Sequence, residues 1–215
     1  LRRTIIKICG VTRLEDAERL AALDADVIGL NFVAASARCI DPDTAVKLVA
    51  RVRSRLKVWA VFVDATRTRV EEIVEAVSPD VLQFNGDEDP EYCRQFGRPY
   101  VKAFGMRPGF DITASTRRYA DAQMLLLDSF SAGQRGGTGH TFDWSLWPME
   151  CALPLMLAGG LDPGNVAAAV RNLKPAAVDV AGGVESPDWG IKGVKDPERM
   201  QAFVAQVRAA DRQTD

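Results

Sequence analysis

Residues 4–32 read TIIKIC, GVTRLEDAERLAALDAD, VIGLNF, and the fold is decided there. Thr4–Cys9 and Val27–Phe32 are short, apolar and rich in β-branched residues. Neither alternates strictly between apolar and polar, the habit of strands covered on both faces. Between them, Thr12-Arg13-Leu14-Glu15 has the spacing of a capping box at the start of a helix. Strand, helix and strand in that order form one unit of a parallel sheet.

The same unit recurs along the chain. Further strand-like segments are Val58–Val63, Val81–Phe84, Tyr100–Phe104, Met124–Leu127, Leu153–Ala158 and Ala176–Val180. Helical spacing (i, i+3, i+4, i+7) joins Ala45, Leu48, Val49 and Val52. It also joins Val70, Ile73, Val74 and Val77, and Val166, Ala169, Val170 and Leu173. Asp-Pro pairs at Asp41-Pro42, Asp89-Pro90, Asp162-Pro163 and Asp196-Pro197 mark helix starts. Asp can cap the first N–H groups, and Pro suits the first helical position. The faintest helical patterns are Ile112–Tyr119 and the stretch after Phe142. Eight such units predict an α/β protein, a (β/α)8 TIM barrel in which residues 1–215 form one domain. A doubly wound open sheet is the structural alternative.

Composition narrows the function. The 215 residues are 47% hydrophobic and 26% charged, enough to build a core of this size. A net charge of −2 and the lack of a Lys/Arg block argue against nucleic acid as a partner. No apolar run approaches the ~20 residues that span a bilayer, and the opening stretch is too short for a signal peptide. Cys9, Cys39, Cys93 and Cys151 are scattered, so reduced thiols in a cytoplasm are expected, with no zinc site. The oligomeric state is left open.

In a barrel, chemistry gathers at the C-terminal strand ends. Those ends bear Cys9, Arg38 in the second loop, Asp64, Asn85, Asp128 and three glycine clusters. The clusters are Gly136-Gly137-Thr138-Gly139, Gly159-Gly160 and Gly182-Gly183, whose backbone N–H groups suit a phosphate. Asp128 follows Leu125-Leu126-Leu127, and a carboxylate after a buried run needs a partner or a task. Cys9 reads either as a small core residue or as a thiolate base. Arg38 suits a substrate carboxylate or is a solvated loop residue. The lone histidine, His140, reads as a surface or capping residue, and the tryptophans as core.

Taken together, Lys7-Ile8-Cys9-Gly10, Gly29–Arg38, Gln83–Glu88, Leu127-Asp128-Ser129, Gly136–Gly139 and Val178–Glu185 with Lys195-Asp196 resemble the phosphoribosylanthranilate isomerase family of tryptophan synthesis. The resemblance implies an Amadori rearrangement of N-(5-phosphoribosyl)anthranilate without metal or cofactor. It implies Asp128 as general acid, Cys9 as general base and Arg38 on the anthranilate side. Asn85 and Asp179 are implied to contact substrate, with Gly137, Gly139, Gly159, Gly160, Gly182 and Gly183 around its phosphate. Three positions depart from the family's habit: Asn85 where histidine is frequent, no proline before Arg38, and Ala181-Gly182 for Ser-Ser. Competing readings are a barrel acting on another phosphosugar, such as the histidine-pathway Amadori isomerase, and a non-catalytic binder of a phosphate ligand.

Overall fold

In a computed structural model of the chain, which describes residues 3–129, 143–186 and 191–213, eight parallel strands close into a barrel in chain order. They are β1 (Ile5–Cys9), β2 (Val27–Asn31), β3 (Lys57–Phe62), β4 (Val81–Phe84), β5 (Tyr100–Met106), β6 (Met124–Ser129), β7 (Leu155–Leu157) and β8 (Ala177–Val180). Lys7 of β1 lies opposite Val27 of β2 on one side and Asp179 of β8 on the other, so the sheet has no edge. That pairing rules out the open doubly wound sheet. The helices are α1 (Leu14–Ala22), α2 (Pro42–Val52), α3 (Arg67–Val77), α4 (Pro90–Arg94), α5 (Ile112–Arg118), α6 (Val166–Leu173) and α7 (Pro197–Gln213). No described helix is long and apolar enough to cross a membrane.

The strands bury both faces because two cores meet along them. Val27, Trp59, Val81, Val101, Met124, Leu126, Met156 and Ala177 pack inside the barrel. Their sequence neighbours Ile28, Val58, Leu82, Leu125, Leu157 and Val178 face outward and pack with the helices. The apolar stripes of α2, α3 and α6 supply Leu48, Val70, Ile73 and Val166 to that outer core.

Three local expectations are corrected. The Thr12–Glu15 capping box does not form: Arg13 is the N-cap without a side-chain bond, and Thr12 Oγ1 donates to the Gly193 carbonyl at 3.0 Å. Asp162 does not cap α6. It accepts from the N–H groups of Gly164 and Asn165 in a turn, and the helix begins at Val166. Between β6 and β7 the described residues hold only a single 3-10 turn, Trp144–Leu146, instead of an α-helix. Pro148 follows at once and disfavours helical backbone at Trp147. The caps at Asp41 and Asp89 form as read, accepting from Thr44 N and Tyr92 N, and Asp196 accepts from Glu198 N and Arg199 N.

At the N-terminal pole, buried Arg208 of α7 closes the ring. It donates to the Thr4 carbonyl (2.6 Å), the Asp24 carbonyl (2.8 Å), Asp26 Oδ2 (2.7 Å) and Asp211 Oδ2 (3.2 Å). Asp211 in turn accepts from Thr4 N and Oγ1, so the last helix is fastened to the first strand. Removing one partner from a buried charged cluster leaves the others uncompensated. Arg208→Met is therefore expected to lower unfolding stability by ~3 kcal/mol, read from urea denaturation, with catalysis by the remaining folded protein intact because the opposite pole is untouched.

Candidate active site

The inward positions change character from one end of the barrel to the other. On β1 they run Ile5, Lys7, Cys9; on β4, Val81, Gln83, then Asn85 just beyond the strand; on β6, Met124, Leu126, Asp128. The C-terminal members open into a cavity of about 330 Å³. Cys9, Arg38, Asn85, Asp128, Asp179 and the glycines 159, 160, 182 and 183 all line it. Every described residue implied as a site residue is thus brought together. Gly137 and Gly139, like His140, lie outside the described residues.

Cys9 is buried at the end of β1. Opposite it on β2 stands Gly29. A Cβ there would sit 2.9 Å from Cys9 Sγ and 2.9 Å from Lys7 Cε, so the glycine leaves room for both side chains. Lys7 is fully buried and donates to Asp179 Oδ1 at 2.8 Å across the β1–β8 seam. Burial pushes the Cys9 thiol above its ordinary range; the Lys7 ammonium opposes this and Asp179 reinforces it. Asp128 ends the inward row of β6, in register with Gly105 of β5.

Arg38 is neither solvated nor free-standing. Its Nε and Nη2 donate to the two oxygens of Glu185 at 2.7 and 2.8 Å. Glu185 also accepts from Lys195 Nζ (2.9 Å) and Gly193 N (3.0 Å). Gly10, with φ +68°, passes under the arginine stem: a Cβ there would lie 2.6 Å from Arg38 Cδ. The loop itself is folded by Asn31, which accepts from Val33 N, and by Ser36, which accepts from Asn31 Nδ2 and Arg38 N. Burial tends to raise the Glu185 pKa, but Arg38 and Lys195 overcome it and hold the carboxyl below its usual range.

The glycine ends of β7 and β8 interlock. Gly159 and Gly160 adopt φ of +83° and +62°, which glycine tolerates without strain. Gly183 sits so close to β7's loop that a Cβ would fall 1.8 Å from the Leu161 carbonyl oxygen. Arg199 holds this turn from below, donating twice to the Gly183 carbonyl (3.0 and 3.1 Å). Across the cavity, Gln83 Nε2 donates to Asn85 Oδ1 at 3.0 Å, while Gln83 Oε1 is a buried acceptor without a partner among the described residues.

Sequence reasoning passed over Lys7, Gln83, Asn31 and the Glu185–Lys195 pair. The first two had a legible signal: each stands two residues before a named site residue, on the same strand face. Glu185 and Lys195 stand in stretches that carry the family resemblance, but their pairing with each other and with Arg38 had no local signal, because they lie ten positions apart in sequence and far from Arg38. The depressed Glu185 pKa gives a pH dependence with a definite sign. A carboxylate whose folded pKa is lowered adds stability above its unfolded pKa, near 4.5, and loses it as pH falls through the folded value. Urea midpoints measured from pH 6 to pH 3 are expected to drop less steeply in Glu185→Gln than in the parent.

Residues 6–206 match the family model described as N-(5'phosphoribosyl)anthranilate (PRA) isomerase. The N-(5'-phosphoribosyl)anthranilate isomerase of Pseudomonas aeruginosa (strain UCBPP-PA14) is 48% identical over 207 residues, covering 96% of each chain. The crystal structure of the Thermotoga maritima phosphoribosyl anthranilate isomerase aligns with a TM-score of 0.85 at 31% identity, over 96% of this chain and 99% of that one. Another isomerase of the same name, solved in complex with reduced 1-(o-carboxyphenylamino)-1-deoxyribulose 5-phosphate, aligns at 0.82 with 30% identity, over 96% and 99%. With a family model matched over nearly its whole length and relatives this similar, the chain belongs to the N-(5'-phosphoribosyl)anthranilate isomerase family.

Proposed function

We infer that this chain, acting as one barrel domain, converts N-(5-phosphoribosyl)anthranilate to 1-(2-carboxyphenylamino)-1-deoxyribulose 5-phosphate. The family membership supports the reaction, and one observation carries the residue assignment. Cys9 and Asp128, on strands that are not neighbours, line the same cavity at the C-terminal end of the barrel.

Asp128, in its acid form, gives its proton to the furanose ring oxygen. The C1–O bond breaks and the anthranilate nitrogen forms an iminium with C1. That positive charge acidifies the hydrogen on C2. Cys9, as thiolate, removes it, and the electrons of the C–H bond form the enolamine. Return of a proton at C1 with loss of the C2 hydroxyl proton gives the ketone, an aldose-to-ketose change with no net oxidation. Proton transfers of this kind are worth 10²–10⁴-fold each.

The rest of the cavity suits the ends of that substrate. Glu185 takes the Nε–H and one N–H of Nη2 of Arg38, so the anthranilate carboxylate is met by the N–H groups left on Nη1 and Nη2. Asn85 and Asp179 serve the sugar hydroxyls. The phosphate is assigned to the turns after β7 and β8, where Gly159, Gly160, Gly182 and Gly183 let backbone N–H groups approach an anion. The solved relative with a bound reduced product analogue supports this class of ligand. The four cysteines are free thiols, in keeping with a reducing cytoplasm.

Fluorescence assays on substrate generated in situ from anthranilate and phosphoribosyl pyrophosphate test the reading. Cys9→Ala and Asp128→Asn are each expected to lower kcat by about 10²-fold or more. Inactivity of the folded parent would sink the assignment. Gly183→Ala must push the two loops apart, and KM is expected to rise at least about tenfold with kcat changed less.

A further inference from the structure

Lys7 does not line the cavity, yet it is among the largest fully buried side chains of the described residues. An unpaired ammonium in this setting would shed its proton. Asp179 prevents that: burial pulls the Lys7 pKa down, and Asp179 together with Cys9 lifts it back above the ordinary value. The face of Trp59, 5.9 Å from Nζ, adds a further attraction for the cation. A lysine has three N–H donors. One goes to Asp179, which leaves donors for a second acceptor.

Cys9 is the acceptor at hand. It stands two residues on, so both side chains share the inner face of β1. Cys9 Sγ and Lys7 Cε both crowd the space left by Gly29, each 2.9 Å from the same point. A buried ion pair alone is a poor source of stability, since its desolvation offsets much of the attraction. The inner face of β1 would be filled as well by an apolar residue, as Ile5 fills it one step lower. A charge kept here at that cost points to a task beside the thiol.

We propose that Lys7 is a positioning residue for the base: its ammonium, kept charged by Asp179, orients the Cys9 side chain and favours its thiolate. The proposal rests on the assignment of Cys9 as general base. Lys7 acts through Cys9 and is two residues away from the cavity mouth, so it is not itself a catalytic residue. The other charged groups facing Cys9 are Asp179 of β8, Lys195 ahead of α7 and, across the cavity, Arg38 and Asp128; β2 brings only Gly29. Asp179 opposes the thiolate and Lys195 favours it more weakly than Lys7. Lys7 is therefore the group whose removal changes the thiol most.

The test reads two pH profiles side by side in the parent, Lys7→Met, Lys7→Arg and Lys7→Met/Asp179→Asn. One is kcat/KM. The other is the rate of iodoacetamide alkylation at Cys9, followed by mass spectrometry of its peptide so that the exposed Cys39 does not intrude. In both profiles the rate climbs with pH as the thiolate forms. Lys7→Met is expected to move both limbs upward by about one pH unit or more, an approximately tenfold loss at a fixed pH below them. Lys7→Arg, which keeps the charge, is expected to stay near the parent. Should Lys7→Met fail to fold, the charge-neutral double variant carries the test, with limbs still above the parent's. Lower plateaus with unmoved limbs would make Lys7 a structural residue and overturn the proposal. An alkylation limb that moves while kcat/KM does not would also overturn it, but by removing Cys9 as the base, a failure distinguishable from that of Lys7.

Discussion

The period of two along a parallel strand is the constraint on which this molecule depends. Each strand must bury one face against its neighbours across the barrel and the other against helices. Ile6 and Ile8 therefore point outward while Ile5, Lys7 and Cys9 point inward. Closure of β1 on β8 then turns eight inward rows into one interior. On β1, β4 and β6 the N-terminal members, Ile5, Val81 and Met124, are apolar and fill it, while Cys9, Gln83, Asn85 and Asp128 at the other end line a site. Fold and cavity follow from the same alternation, and a slip of one residue in any strand would exchange core for site.

That arrangement explains why the charged residues of the interior occur in small, closed groups. Lys7 is held by Asp179, Arg38 and Lys195 by Glu185, and Lys102, on the outer face of β5, by Glu88 and the carbonyls of Phe84 and Gly86. Buried charge is tolerable only when paired and hydrogen-bonded. Two of these groups join segments remote in sequence, β1 to β8 and the second loop to the last, and the third ties β4 to the next strand, β5. The polar end of the barrel is therefore tied together by the residues that surround the chemistry, while Arg208 and its partners tie the opposite pole. The chemistry is confined to one end of the barrel, as expected of this architecture, while paired charges stabilise both ends.

Glycine plays a different part at each position. Gly10 gives the Arg38 stem a path, and Gly29 gives Lys7 and Cys9 a shared space. Gly183 lets the turns after β7 and β8 touch. In all three cases the missing Cβ admits another residue's atoms.

The sequence by itself determined the alternation of strands with helices, the burial of both strand faces, and the strand-end positions of Cys9, Asn85 and Asp128, while barrel closure over an open sheet was decided by the β1–β8 pairing. The former are readable because periodicity and chain order are local. It also carried the Asp41 and Asp89 caps, whose bonds reach only three residues. The Thr12 and Asp162 caps were misread for the opposite reason: Thr12 spends its hydroxyl on Gly193, and Asp162 spends its carboxylate on a turn shaped by Asn165. Only the tertiary structure decided what Arg38 and Lys7 face. Glu185 lies 147 positions from Arg38 and Asp179 lies 172 from Lys7, and closing the barrel is what brings each carboxylate within 2.8 Å of its cation. Charge pairing over such separations is set by closure of the sheet, which no local pattern of residues encodes.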